Sequence, residues 1–199
     1  MPDLTLIHTA QVHCATFDGL APQADLRHNV RPDWLARAQN GIDDRLAAEI
    51  AAAIQAAEGP VLCSCTTLGP VAEAAGAIRI DWPMMQRAAD IGGPVLLVYC
   101  LQSTAQPSQD LLRRAFGNAD PQLTCLLLAQ HWPLFEAGET DAFNQALAVN
   151  IETALKQNHY GCVVLAQASM AGVATVIQAD VPVLASPEIA VQSLLAPQQ

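Results

Sequence analysis

Residues 61–72, VLCSCTTLGPVA, can be laid over residues 163–174, VVLAQASMAGVA, without a gap. Val61 meets Val163, Leu62 meets Val164, Cys65 meets Gln167, Thr67 meets Ser169 and Leu68 meets Met170, at a constant offset (167 − 65 = 102). Each segment reads as an apolar strand, a small polar turn and the start of a helix. Self-similarity at a fixed offset is the mark of one supersecondary unit used twice. LTLIHTA (4–10) and PVLLVYC (94–100) read as the opening strands of the two halves.

Outward from this repeat, short apolar runs alternate with Ala/Leu-rich helical patterns. The expected strands are 4–8, 59–65, 94–100, 122–129, 162–167 and 182–186. Helices are expected over 36–57 (weakened by Gly41), 81–92, 108–117 and 141–157, with a short one after Met170 and a last one from Pro187. Asp141 is placed to cap its helix. Continuously apolar strands separated by helices indicate parallel sheets covered on both faces. The expected fold is therefore α/β, with two pseudosymmetric lobes that each hold a mostly parallel sheet flanked by helices. The expected first lobe comprises 1–90 plus 183–199, the second 91–182, with a site in the cleft between them.

Composition narrows the function classes. Only 14% of the 199 residues are charged and 52% are hydrophobic, which suits a compact, largely buried chain and leaves room for a homo-oligomer. A net charge of −10 with nine scattered basic residues argues against nucleic acid and anionic membranes as partners. No apolar run is long enough to span a bilayer and no secretory leader is evident. Six cysteines beside apolar runs point to free thiols in a reducing cytoplasm rather than to a disulfide framework. Cys63-Ser64-Cys65 lacks a second close ligand pair, and the five histidines are isolated in sequence, so no metal is expected. No GxGxxG, Walker loop or Gly-x-Ser-x-Gly elbow is present, and no cofactor is expected.

Ligands of parallel sheets gather beyond the carboxyl ends of the strands, where helix starts present N–H groups. Cys65, Thr66 and Thr67 fall at such a place. A thiol there is expected to have a stabilised thiolate and a lowered pKa, while the threonines offer hydroxyls and N–H groups to a carboxylate. The competing reading of Cys65 is a small apolar filler, and for Cys63 that is the better one. His8, ending the first strand, is in reach of the crevice. Asp81 is either a helix cap ahead of Pro83 or a crevice residue, and Arg31 either a solvated charge or a carboxylate clamp.

LIHTAQV (6–12), SCTTLGPVAE (64–73), RIDWPMMQRAA (79–89), YCLQSTAQPSQDLL (99–112) and VVLAQASMAGV (163–173), in that order, resemble the motifs of the aspartate/glutamate/hydantoin racemase superfamily over nearly the whole chain. The resemblance implies cofactor-independent proton transfer at an α-carbon by two cysteines on opposite faces of the substrate. It places Cys65 as the first thiol, with Thr67 and its neighbours on the carboxylate. At the second thiol position this chain has Gln167, followed by Ala168 and Ser169, and an amide does not titrate. Cys162 stands at the other end of that strand and cannot substitute.

The expected function is thus a racemase-like, cofactor-independent isomerase or lyase acting at the α-carbon of a small carboxylic or amino acid. Cys65 is the acid/base, Gln167 its counterpart, and His8, Thr66, Thr67, Asp81, Ala168 and Ser169 are substrate-binding. The alternatives are a non-catalytic small-carboxylate-binding protein that keeps the cleft, and a redox switch that uses Cys63 and Cys65.

Overall fold

The computed structural model describes residues 1–195. It resolves into two units, Met1–Pro83 joined by the chain from Pro187 onward, and Met84–Ser186. The first unit holds β1 (Leu4–His8), α1 (Val12–Leu20), β2 (Leu26–Val30), α2 (Pro32–Ala38), α3 (Asp44–Gln55), β3 (Val61–Cys63), α4 (Gly69–Ala74) and β4 (Ile78–Arg79). α5 (Trp82–Ile91) leads into the second, which holds β5 (Val95–Tyr99), α6 (Gln102–Phe116), β6 (Leu123–Leu127), α7 (Trp132–Glu136), α8 (Thr140–Gln157), β7 (Cys162–Leu165), α9 (Val173–Val176) and β8 (Val183–Ala185). α10 (Ser186–Leu195) returns to the first.

Each unit has one all-parallel four-stranded sheet, ordered β2-β1-β3-β4 and β6-β5-β7-β8. The repeat extends to register. Ile7 pairs with Cys63 and Val98 with Leu165, and Cys63 pairs with Arg79 as Leu165 does with Ala185. Residues 63 and 165 keep the 102-residue offset read from the sequence. Even the bond that closes each turn is repeated, Ser64 N–H to Ile7 O and Ala166 N–H to Val98 O, both at 2.9 Å. β1, β3, β5 and β7 are buried throughout, which is why their sequences are apolar on both faces.

The departures from expectation have local causes. The predicted helix over 36–57 is two helices, broken where Gly41 takes φ 109° and Asp43 accepts a hydrogen bond from Leu46 N–H at 2.7 Å to cap α3. α6 begins six residues before the expected 108 and runs through Pro107. Asp141 lies inside α8, whose cap position is Glu139 without a side-chain bond. Val183–Ala185, assigned from sequence to the first lobe, pairs with β7 in the second sheet, and the chain crosses back at Pro187. The strand β2 and the helix α1 were not foreseen: β2 is an edge strand, LRHNV, with no apolar run.

The cores follow the pleat. Ile7, Cys63 and Cys65 pack with Trp34, Leu46, Ile50 and Leu68 on one face of the first sheet. His8, one residue on from Ile7, points to the opposite face, where its ring lies 5.3 Å from that of Phe17 on α1. In the second unit Leu96, Val98, Val163 and Leu165 pack under Phe143, Leu147 and Ile151 of α8. No helix among the described residues is long and apolar enough to cross a membrane.

Candidate active site

Cys65 follows β3 at the head of a tight turn, in which Leu68 N–H bonds to Cys65 O (3.2 Å) and Gly69 N–H to Thr66 O (3.1 Å). α4 starts only at Gly69, so the thiol sits in the turn rather than on the first residue of a helix. What meets the sulfur is local: the Thr9 side chain from the end of β1, and the backbone N–H groups of Leu68 and Thr67. All three favour the thiolate. Burial is the larger effect, however, and with the charge of Asp81 it pushes the Cys65 thiol above its ordinary value. The expected lowering is thereby corrected: the sequence displays the donors but not the depth, and only 8% of Cys65 is exposed. Thr66 and Thr67 are buried beside it.

Cys63 is the core residue expected, its thiol donating to Cys65 O at 3.6 Å and driven far up by burial. The six cysteines are all free.

Asp81 is completely buried and makes a bidentate pair with Arg79, Nε to Oδ1 at 3.0 Å and Nη2 to Oδ2 at 2.8 Å. It is therefore neither a simple cap nor an open crevice carboxylate. A Cβ added at Gly69 would lie 2.8 Å from Arg79 Nε, so the pair packs directly under the start of α4. Sequence reasoning missed Arg79, although an Arg two residues from an Asp at a strand end was the signal available. Arg31 is committed elsewhere, bidentate to Asp33 (2.9 and 2.7 Å) and stacked over Trp34 at 4.1 Å.

His8 does not join Cys65. It is fully buried on the other face of β1, bonded to Ser64 Oγ and His28 Nδ1, and burial, followed by the neighbouring His13 and His28, lowers its pKa to about 3. From this strand end it is Thr9, the next residue, that reaches the thiol.

At the equivalent turn of the second unit, Gln167 is extended and precedes a 3-10 turn at Ala168–Met170. Its Oε1 accepts from the backbone N–H groups of Cys100 and of Leu101 (3.1 Å), at the position where Thr9 and Ala10 stand in the first unit. Because both partners are donors, the oxygen must face them and the Nε2 hydrogens point away. Ala168 is buried, and Ser169 Oγ is buried with no hydrogen-bond partner among the described residues. Cys162 begins β7 at the opposite end from Gln167, its thiol raised to about 11 by burial.

No protein-family profile matches this sequence, and no curated protein does. Solved structures do. The chain is similar to allantoin racemase from Klebsiella pneumoniae, at 16% identity and a TM-score of 0.63 over 97% of this chain and 86% of that one. It is also similar to glutamate racemase from Francisella tularensis in complex with D-glutamate, at 11% identity and 0.66 over 97% and 79%. Aspartate racemase from Picrophilus torridus matches at 14% identity and 0.63 over 96% and 93%. The chain thus shares the fold of these racemases.

Proposed function

We propose that this chain is a racemase-like, cofactor-independent isomerase or lyase that moves a proton at the α-carbon of a small carboxylic or amino acid, with Cys65 as the acid/base group. One observation carries the reading. In a racemase fold, the thiol at the end of β3 is met by three donors, from Thr9, Thr67 and Leu68, that suit a thiolate. Burial keeps the proton on sulfur at rest, so Cys65 starts as an acid. In the proposed step the substrate loses a carboxylate as carbon dioxide, the electrons of that C–C bond form an enediolate, and the Cys65 S–H bond breaks as a C–H bond forms at the α-carbon. The thiolate left behind is held by those three donors and regains a proton from the next substrate or from solvent. In this reading Thr66 and Thr67, in the same turn, hold the substrate carboxylate beside Cys65. Gln167 places an amide, which does not titrate, at the equivalent turn of the second unit.

The same amide favours a second reading, a small-carboxylate-binding protein without turnover, because the position of a second acid/base holds a group that cannot titrate.

The test is incubation with a panel of amino, hydroxy and aryl acids in deuterium oxide, following label at the α-carbon. The catalytic reading expects wash-in with at least one acid, slowed about 10²–10⁴-fold by Cys65→Ser. Binding of an acid that raises the melting temperature equally in both proteins, with no exchange, would establish the second reading instead.

A further inference from the structure

On the α1 face of the first sheet lies a group of side chains that the proton-transfer reading does not use. His8 on β1, Cys14 on α1 and His28 on β2 bring their donor atoms within 4.8 Å of one another. His8 Nε2 is 2.9 Å from His28 Nδ1. The remaining polar atom of each ring is held from behind: His8 Nδ1 lies 2.7 Å from Ser64 Oγ, and His28 Nε2 3.0 Å from Asp18 Oδ1. Gln11 Nε2 donates to Cys14 Sγ at 3.4 Å.

The Asp18 carboxylate only accepts, so His28 Nε2 carries a hydrogen and Nδ1 a lone pair in the neutral ring. The His8 ring has two arrangements. When Ser64 donates to His8 Nδ1, His8 Nε2–H donates to His28 Nδ1. When Ser64 donates to Ile7 O at 3.1 Å, it accepts from His8 Nδ1–H, and His8 Nε2 and His28 Nδ1 turn two lone pairs toward each other. The second arrangement offers both nitrogens to a metal ion.

We propose that His8, His28 and Cys14 form a binding site for a divalent ion of the zinc type, with solvent in the fourth position. Two imidazoles and a thiolate suit zinc or cobalt and not magnesium or calcium, which take oxygen ligands. Three protein ligands and an open position are a usual zinc arrangement. Bonds of about 2.0–2.3 Å at tetrahedral angles put ligand atoms about 3.5 Å apart, so binding requires the two ring nitrogens, now 2.9 Å apart, to part slightly and the wider spacings within the group to close. A carboxylate behind one ligating histidine and a hydroxyl behind the other are the supports that fix ring orientation at metal centres. Access exists, since the His28 side chain is 16% exposed and Cys14 is half-buried. The ion forms bonds to two nitrogens and to sulfur, and the Cys14 S–H bond breaks with release of its proton to buffer.

The test uses the full chain, stripped with a chelator and titrated with Zn²⁺ by calorimetry in two buffers of different ionisation enthalpy, and with Co²⁺ by absorption. The expected result is one ion per chain, one proton released, and a cobalt spectrum with a thiolate charge-transfer band and strong four-coordinate visible bands. Cys14→Ser removes the charge-transfer band, and Asp18→Asn weakens binding about 10–100-fold. Cys65→Ser, on the other sheet face, changes neither, so the metal result is independent of the proposed proton transfer. Circular dichroism confirms that each variant folds. Zn²⁺ binding no tighter than in the Cys14→Ser/His28→Gln double variant, or a cobalt complex without the thiolate band, overturns the proposal and leaves a hydrogen bond between two neutral rings.

Discussion

Replacing Asp81 by asparagine tests how the turn that carries Cys65 is supported. The Arg79 and Asp81 side chains are only 4% and 1% exposed and are joined by two hydrogen bonds, of 3.0 and 2.8 Å. Asparagine keeps the shape and one acceptor but removes the charge that faces a buried guanidinium. Losing one member of a buried pair costs about 3–5 kcal/mol, and the surviving contact places Asp81→Asn near the lower end, about 3 kcal/mol. Urea unfolding followed by circular dichroism measures this. The same change has a second readout. Asp81 contributes to the raised Cys65 pKa, so removing its charge lowers that pKa. Alkylation of the Cys65 peptide by iodoacetamide, followed by mass spectrometry across pH, reports the shift. The paired replacement Arg79→Met/Asp81→Leu removes both charges and recovers most of the stability. A loss below about 1 kcal/mol for Asp81→Asn, or an unchanged or higher thiol pKa, refutes the reasoning.

Gly69→Ala puts a methyl group 2.8 Å from Arg79 Nε and is expected to cost about 1–3 kcal/mol by urea unfolding, most of it absent in the Arg79→Met/Asp81→Leu background. Gln167→Ala leaves the N–H groups of Cys100 and Leu101 without their acceptor, a loss of about 1–3 kcal/mol that Gln167→Glu, which retains an oxygen there, lessens. In metal-free protein His8 and His13 have folded pKa values lowered from 6.5 to about 3 and about 4, burial being the main cause in each. The unfolded chain therefore binds these protons first. Stability is complete above pH 6.5 and falls on acidification, by about 1.4 kcal/mol per pH unit for each histidine until its folded pKa is reached. A flat profile between pH 6.5 and 4 in pH-dependent urea titrations contradicts this.

The fold was legible because buried parallel strands are apolar on both faces and because residues 61–72 and 163–174 repeat one turn. Register then confirmed that repeat down to single pairs such as Cys63–Arg79 and Leu165–Ala185. β2 was illegible because an edge strand needs no apolar run, and Arg27, His28 and Asn29 hide it. Cys65 to Thr67 lie just beyond β3 as the repeat suggested, but in a turn: the strand ends at Cys63 and not at the expected 65, and α4 starts only at Gly69. The proton affinity of Cys65 was not legible, because donor groups can be read from sequence while desolvation depends on Trp34, Leu46 and Ile50, which arrive from other elements. The histidine cluster was missed for a related reason. His8, Cys14 and His28 are isolated in sequence and meet only because β2 pairs beside β1 under α1.

The most direct test of the central claim is the stereochemistry of proton delivery in deuterium oxide. With an acid that the protein turns over, a single thiol on one face predicts product labelled at the α-carbon in one configuration only, and loss of that labelling in Cys65→Ser. Equal labelling of both configurations, or labelling undiminished in Cys65→Ser, would contradict a one-sided site built on Cys65.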